Sequence, residues 1–390
     1  MSVIFFAAGV TFLLLSVHPF IFYPLSLRAL LFLRRRAPVL APPLAVARSK
    51  VALCLCAHNE ERVIHAKVEN MLAMRRAIPD LEILVYVDGA ADRTAEILAR
   101  FADRIRVFVS ETRHGKTYGM NTLVGATTAD IIVFTDANVR FADDALIHLL
   151  RPFADAGVGC TLGHLRYVTR LASATARTGS LYWRLEERIK ELESRTGSAI
   201  TSDGSIFAIR RRLHSPPPLD ISDDIYVSLT ILCAGYRVVR AGDAIAYEDI
   251  VSDSREEFVR KIRIACQAFN AHRLLWPRLR GLPPLDLYKY VSHKLLRWLT
   301  IYLQLAGVLF ILAGLEISTG WPAVILVAAA VAVAARILWA CSNGPLGKLG
   351  SILQAFVATG LGVWRSYRGE RFQTWTSPAS ARLEMSRRSL

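Results

Sequence analysis

The chain has 390 residues, 53% of them apolar, and a formal charge of +15. Such a surplus suits either nucleic acid or the anionic face of a membrane. Long apolar runs at both ends, and no interleaving of basic with aromatic residues, point to membrane lipids and away from nucleic acid. The six cysteines (Cys54, Cys56, Cys160, Cys233, Cys266 and Cys341) lack zinc spacing and read as buried free thiols in a reduced compartment.

Val3–Leu33 is apolar apart from His18 and Arg28, and Pro19 and Pro24 interrupt it. About 20 residues cross a bilayer, so one kinked span fits residues 1–36 as an amino-terminal anchor. A cleaved signal peptide carries its charge before the apolar core, whereas Arg34, Arg35 and Arg36 follow it here. With Arg48 and Lys50 they place the next domain in the cytosol. Pro38, Pro42 and Pro43 make 37–43 a stiff linker.

From residue 48 to about 250, strand and helix signals alternate. Apolar strands are expected at Val51–Cys56, Leu81–Val87, Ile105–Val109 and Ile131–Thr135, with helices at Glu60–Met74, Arg93–Phe101 and Thr117–Ala126. That rhythm predicts an α/β domain with a mostly parallel sheet and helices on both faces. No G-x-G-x-x-G follows the first strand, and His114-Gly115-Lys116-Thr117 lacks the leading glycine of a P-loop, Ser110 standing in its place. Each strand runs out into polar residues: Ala57-His58-Asn59-Glu60, then Asp88-Gly89, then Arg113-His114-Gly115-Lys116, then Asp136-Ala137-Asn138. Singly, each is also ordinary turn or capping chemistry. Together, at the carboxyl edge of one sheet, they form a polar crevice where an open α/β fold binds its ligand. Asp136 and Asn138 lie on the same side of an extended chain, and their oxygens suit a hard cation beside a diphosphate.

These stretches together resemble a membrane-bound family 2 glycosyltransferase of the GT-A fold. CAHNEE is similar to that family's P-x-x-N-E strand end, VDGAADRT to its D-x-S-x-D-x-T turn, RHGKTYGMNT to its G-K-x-x-A-x-N stretch, and TDAN to its D-x-D motif with Asn138 replacing the second Asp. The resemblance covers about Val51 to Arg263, and the membrane layout is similar to synthases of cellulose, poly-N-acetylglucosamine and hyaluronan. It implies that Asn59, Glu60 and Asp88 hold the base and ribose of a UDP-sugar donor, with Lys116 near the uracil or diphosphate. It implies also that Asp136 and Asn138 hold Mg²⁺ or Mn²⁺.

On the acceptor side, Leu181–Glu193 is a strongly charged helix, and Asp203-Gly204-Ser205 is a glycine turn entering a strand that ends at Arg210. The resemblance makes Asp203, Gly204 and Ser205 part of the acceptor pocket. Asp223-Asp224 open a helix over Ile225–Ala234 that stops at Gly235. They either cap it or, by the same resemblance, supply the catalytic base, Asp224, with Asp223 raising its pKa. One base without a nucleophile implies a single inverting displacement onto a saccharide or lipid-linked acceptor.

Glu256–Trp276 is amphipathic and basic and reads as an interfacial helix within residues 251–290. The family's Q-x-x-R-W falls on Arg260-Lys261-Ile262-Arg263-Ile264. Arg263 keeps the basic position suited to the diphosphate, while Gln and Trp are absent, which favours single-sugar transfer over polymerisation. Within 291–364, Trp298–Ile317 and Trp321–Cys341 are long enough to span, and Pro345–Trp364 reads as re-entrant or interfacial, leaving 365–390 as a basic cytosolic tail. Within that tail, residues 371–376 either fold over the crevice or stay free. The expected setting is a bacterial inner membrane with a cytosolic catalytic domain, with oligomers able to complete a channel. The rival readings are a transporter, disfavoured because the polar chemistry sits in the soluble half, and a non-catalytic nucleotide-binding membrane protein.

Overall fold

A computed structural model describes residues 1–33, 49–168, 174–249, 254–341 and 344–374. The arginine triplet 34–36, the proline-containing linker, the expected domain boundary at residue 250 and the tail beyond Thr374 lie outside the described residues.

The first half of the sheet follows from short apolar strands alternating with helices. In order come β1 (Val51–Ala57), α3 (Ile64–Ala73), β2 (Glu82–Asp88), α4 (Thr94–Ala99), β3 (Arg106–Ser110), α5 (Lys116–Gly125) and β4 (Ile131–Thr135), preceded by α1 (Ser2–Val17) and α2 (Phe22–Leu33). β1 pairs in parallel with both β2 and β4, and β3 extends the row beyond β2. The direction of winding reverses around β1, so the loops after β1, β2 and β4 open onto one crevice. Residues buried on both faces explain why these strands are apolar without alternation. Leu53 and Leu55 face one core with Ile64, Val68 and Met71 of α3, whereas Ala52, Cys54 and Cys56 face a second core with Met120 and Leu123 of α5.

The second half makes the sheet mixed. It contains β5 (Arg140–Phe141), α6 (Ala145–Leu150), β6 (Val158–Val168), α7 (Ala174–Arg195), β7 (Ile206–Arg210), α8 (Asp223–Cys233) and β8 (Arg237–Asp249). β7 runs antiparallel between β4 and β6, β6 and β8 are parallel, and the strand order is β3-β2-β1-β4-β7-β6-β8-β5. The expected α/β sheet is present, with this antiparallel insertion. Because β7 enters from the opposite direction, its first residues reach the same edge as the end of β4.

The remaining helices are α9 (Ser254–Leu279), α10 (Pro284–Tyr290), a π turn at Val291–Leu295, α11 (Leu296–Trp298), α12 (Thr300–Thr319), α13 (Trp321–Ala340) and α14 (Gly344–Tyr367). By length and composition α12, α13 and α14 could each cross a membrane, and α1 with α2 form a pair bent by 66°. Gly9 of α1 and Gly307 of α12 let those backbones meet, since a Cβ on Gly9 would lie 2.9 Å from the Gly307 carbonyl. The expected apolar face of α9 is buried against protein: Ile262, Ala265 and Phe269 are each under 8% exposed. The core around Phe269 runs from the sheet through α8 and α9 to Trp298 and Val363.

α14 is one unbroken helix. It starts against the end of α13, where a Cβ on Gly350 would meet the Leu338 carbonyl at 2.1 Å, and it ends against α9. Gly362 faces Ala265 Cβ at 2.5 Å and the Ile262 carbonyl at 2.5 Å, measured from where its own Cβ would stand. Gly362→Val should therefore force these helices apart and lower the unfolding free energy by about 1–3 kcal/mol, read as an earlier thermal midpoint of the detergent-solubilised protein. An unchanged midpoint would mean that α14 is not seated on α9.

Candidate active site

The crevice is assembled from five loops. Asn59 follows β1 with a left-handed φ of 53°, and its side-chain oxygen accepts the Ala91 N–H at 2.8 Å, tying the β1 loop to the β2 loop. This turn displaces the helix expected at Glu60, so α3 starts at Ile64. Glu60 is buried, and its N–H donates to Thr94 Oγ1 at 2.8 Å. Asp88 is fully buried at the end of β2, and its carboxylate accepts the backbone N–H groups of His114 (2.7 Å) and Gly115 (2.9 Å). Asp88 thus fixes the loop that delivers Lys116.

Lys116 begins α5 and is the hub of the site. Its Nζ donates to Asp136 Oδ1 at 2.7 Å and lies 3.8 Å from Asp223 Oδ2. Burial alone would lower its pKa, but the negative charges of Asp136, Asp223 and Asp224 outweigh that and raise it. Gly204, at the turn into β7, closes the same space: a Cβ there would lie 2.8 Å from Lys116 Nζ, 3.4 Å from Asp136 Oδ2 and 3.8 Å from Asp224 Oδ2. Residues from four distant segments therefore share one pocket.

Asp223 and Asp224 open α8, where the helix dipole favours negative charge. Asp224 Oδ1 accepts from Ser222 Oγ at 2.5 Å and from the Ile225 N–H at 2.7 Å. Burial and the adjacent Asp223 charge push its pKa up to about 6 against the pull of Lys116. Asp223 is 9% exposed, and its Oδ2 is buried without a hydrogen bond. Asp203 Oδ2 accepts from Lys190 Nζ of α7 at 2.6 Å, and Thr135 Oγ1 donates to the Ser205 carbonyl at 3.1 Å. Arg263 of α9 is half-buried, with its pKa lowered to about 10 by burial and by Arg260.

Two further groups were not expected from sequence. Glu248 of β8 accepts from Asn138 Nδ2 at 2.8 Å, and burial, countered by Arg260 and reinforced by Asp136, raises its pKa to about 7. Lys67 of α3 is 3% exposed and donates to Thr135 Oγ1 (2.8 Å) and the Val139 carbonyl (2.6 Å), with its Nζ 4.3 Å from the Phe141 ring centre. Burial lowers its pKa to about 7 despite the Asp136 charge. The sequence carried a signal for Lys67: it occupies the i+3 position of the buried stripe Ile64, Lys67, Val68, Met71. Glu248 had no such signal, since β8 was not anticipated.

Asp136 Oδ2, which faces Gly204, and Asn138 Oδ1, two residues further on, make no hydrogen bond among the described residues. Among the described residues no three His, Cys, Asp or Glu side chains form a metal cage. Two oxygens that leave positions for phosphate suit a hard divalent cation. At the rim, Gln373 Nε2 donates to the His114 carbonyl at 2.9 Å, Gln267 Nε2 donates to the Phe372 carbonyl at 2.7 Å, and Arg371 pairs with Asp220. The start of the tail thus docks beside the Lys116 loop; Trp375 and Thr376 lie outside the described residues.

A curled mixed sheet with polar loops gathered at its switch point is the architecture of GT-A nucleotide-sugar enzymes. Residues 52–215 match the family described as Glycosyl transferase family 2. An N-acetylglucosaminyltransferase of Rhizobium meliloti is 24% identical over 246 residues, 55% of this chain and 55% of that one. A beta-monoglucosyldiacylglycerol synthase of Trichormus variabilis is 29% identical over 114 residues, 28% of this chain and 24% of that one. The chain spans about half the length of the N-acetylglucosaminyltransferases it matches. A mannosyltransferase from Pyrobaculum calidifontis, solved with GDP-Man and Mn²⁺, superposes with a TM-score of 0.71 at 20% identity, covering 94% of this chain and 100% of its own, and so shares the fold.

The pocket depends on the missing side chain at residue 204. Gly204→Ala should leave the thermal midpoint near that of the unaltered protein, because Lys116 Nζ is the end of a flexible chain, yet cut transferase turnover by about 100-fold through displacement of Lys116. Retained turnover would show that Lys116 and Asp136 need not meet over Gly204.

Proposed function

We propose that the protein is a membrane-associated, divalent-metal-dependent inverting glycosyltransferase that moves a sugar from a UDP-sugar to a lipid-linked or saccharide acceptor. The observation that carries this reading is the convergence of Lys116, Asp136, Asp223 and Asp224 around Gly204.

Asn59, Glu60 and Asp88 form the wall for base and ribose, directly through their loops or, for Asp88, by fixing His114 and Gly115. Lys116 and the guanidinium of Arg263 face the diphosphate. Asp136 and Asn138 would hold Mg²⁺ or Mn²⁺, with Glu248 orienting the Asn138 amide; bound there, the ion offsets charge developing on the leaving diphosphate. Asp224 takes the proton of the acceptor hydroxyl as that oxygen forms its bond to the sugar's C1 and the C1–oxygen bond to UDP breaks. The proton ends on Asp224 and the electron pair on UDP. A single displacement inverts the anomeric centre.

A lipid acceptor and a single addition are favoured over polymerisation, because Arg260 and Ile264 stand where a processive synthase carries Gln and Trp. The match to a diacylglycerol-lipid synthase points the same way. α14 begins at the end of α13, ends along α9, and hands the start of its tail to the crevice rim, which keeps that part of the tail on the side of the catalytic domain. The catalytic domain then lies on the cytosolic side of a bacterial inner membrane, a side supported by the arginines that follow the amino-terminal apolar segment.

Asp224→Asn should abolish transfer while UDP binding, measured by calorimetry, stays near that of the unaltered protein; substantial turnover would remove Asp224 as the base. Because the base must be ionised, kcat/KM should fall as pH drops through about 6. Asp223→Asn, by deleting the charge that raises Asp224, should move that acidic limb to lower pH. Chelation should remove activity, and Asn138→Asp should lower the Mn²⁺ concentration that restores half of it. Equal metal requirement in the two proteins would place Asn138 outside the metal site.

A further inference from the structure

A cavity of about 560 Å³ is lined by residues of β6, α7 and β8. Its floor is aromatic: the Tyr167 and Trp183 rings are 5.2 Å apart, and Lys190 Nζ sits 5.5 Å from the Trp183 ring centre. Each ring is linked to the crevice residues through one neighbour. Lys190 joins Trp183 to Asp203, the neighbour of Gly204, and Tyr167 is paired in the sheet with Glu248.

Charge defines what this cavity accepts. Four arginines line it (Arg166, Arg184, Arg188 and Arg240) against two carboxylates, Glu187 and Glu191. Both carboxylates are already engaged: Glu187 by Arg240 at 2.7 Å and Lys190 at 3.2 Å, and Glu191 by Arg240 at 2.8 Å. Arg166 and Arg188 are exposed at the mouth, and neither guanidinium has a partner among the described residues. Burial and the Arg240 charge lower the pKa of His164, and burial raises that of Tyr167. What is left is a forked cationic rim over an aromatic floor, and guanidinium forks match phosphate oxygens. A neutral sugar would leave that charge unanswered.

We propose that this cavity is an acceptor subsite that reads a phosphate on the acceptor headgroup: Arg166 and Arg188 grip the phosphate, and the group it bears lies over Trp183 with its hydroxyl directed past Asp203 toward Asp224. The assignment rests on the transferase reading above and adds the chemical class of the acceptor. The opposite face of α7 packs Ile189 and Leu192 on Tyr23 and Leu27 of the amino-terminal apolar helices, which sets the cavity at the level of lipid headgroups.

The test uses the full chain in phosphatidylcholine nanodiscs, titrated by calorimetry with dihexanoyl phosphatidic acid, inorganic phosphate or dihexanoylglycerol, with tryptophan fluorescence recorded alongside. Phosphatidic acid should bind saturably, with a fluorescence change lost in Trp183→Phe. Affinity should fall about tenfold or more in R166Q/R188Q, as expected for loss of charge-assisted phosphate contacts. It should be unchanged in the charge-matched pair R100Q/R104Q on the distant α4 side. Inorganic phosphate binding as tightly as phosphatidic acid supports a free phosphate source, and weaker binding supports a lipid one. Dihexanoylglycerol binding as well as phosphatidic acid, or phosphate binding indifferent to Arg166 and Arg188, overturns the proposal. UDP release from a donor panel on the same preparation separates the two claims. Release without phosphate binding defeats the subsite alone. Phosphate binding without release shows a phosphate site but overturns its acceptor role together with the transferase reading.

Discussion

One ammonium holds the site together. Lys116 stands among Asp136, Asp223 and Asp224, three carboxylates that could not share a partly buried pocket without a cation between them. It leaves the cluster net negative, which is the condition a divalent cation seeks; burial, with the adjacent Asp223 charge, makes Asp224 keep a proton more readily than an isolated aspartate. The rest of the catalytic half can be read as the means of keeping Lys116 in place: Asp88 pins the loop before it, Asn59 pins the loop beside Asp88, and the absent side chain of Gly204 leaves it room.

A second buried cluster joins this half to the apolar helices. Glu193 of α7 accepts from Tyr23 Oη of α2 at 2.5 Å and pairs with His293 at 2.7 Å, while Glu186 pairs with His293, Lys294 and Arg297. Burial alone would raise both glutamates, and the surrounding cations hold them below the usual carboxylate range. Lys289 completes the joint by donating to the carbonyls of Glu193 and Ser198. An ion network of this kind is expensive to break once one partner is removed. It fixes α7, and with it Lys190 and Asp203, relative to the amino-terminal and carboxyl-terminal apolar helices.

Much of this was legible in the sequence because it depends on local signals. Buried parallel strands ending in polar turns announce β1, β2 and β4, and the α/β class follows from their alternation with helices. Asp136, Lys116 and Asp224 stand out because each sits at an element boundary where chemistry needs it. What stayed hidden depends on pairing between distant segments. β6 and β8 carry mixed residues, since β8 interleaves Arg237, Arg240, Asp243 and Glu248 with its apolar positions, so neither announced itself, and Glu248 went unseen with them. Lys67 could have been found from the buried stripe it interrupts. The charged run at α7 reads as a solvated face, yet Glu186, Lys190 and Glu193 are buried, because the partners of the two glutamates come from over 90 residues away and Lys190 is held by Glu187 and Asp203. The third apolar segment was ambiguous by composition, and its glycines turn out to be the positions at which it meets α9, α12 and α13.

The central claim is that a single base, Asp224, drives one in-line displacement in a pocket shared with Lys116 and Asp136. The stereochemistry of the product tests it most directly. With an α-linked UDP-sugar as donor, proton NMR of the freshly formed glycoside should show only the β-anomer; an α-linked product would require two displacements or a different geometry, and would contradict the account.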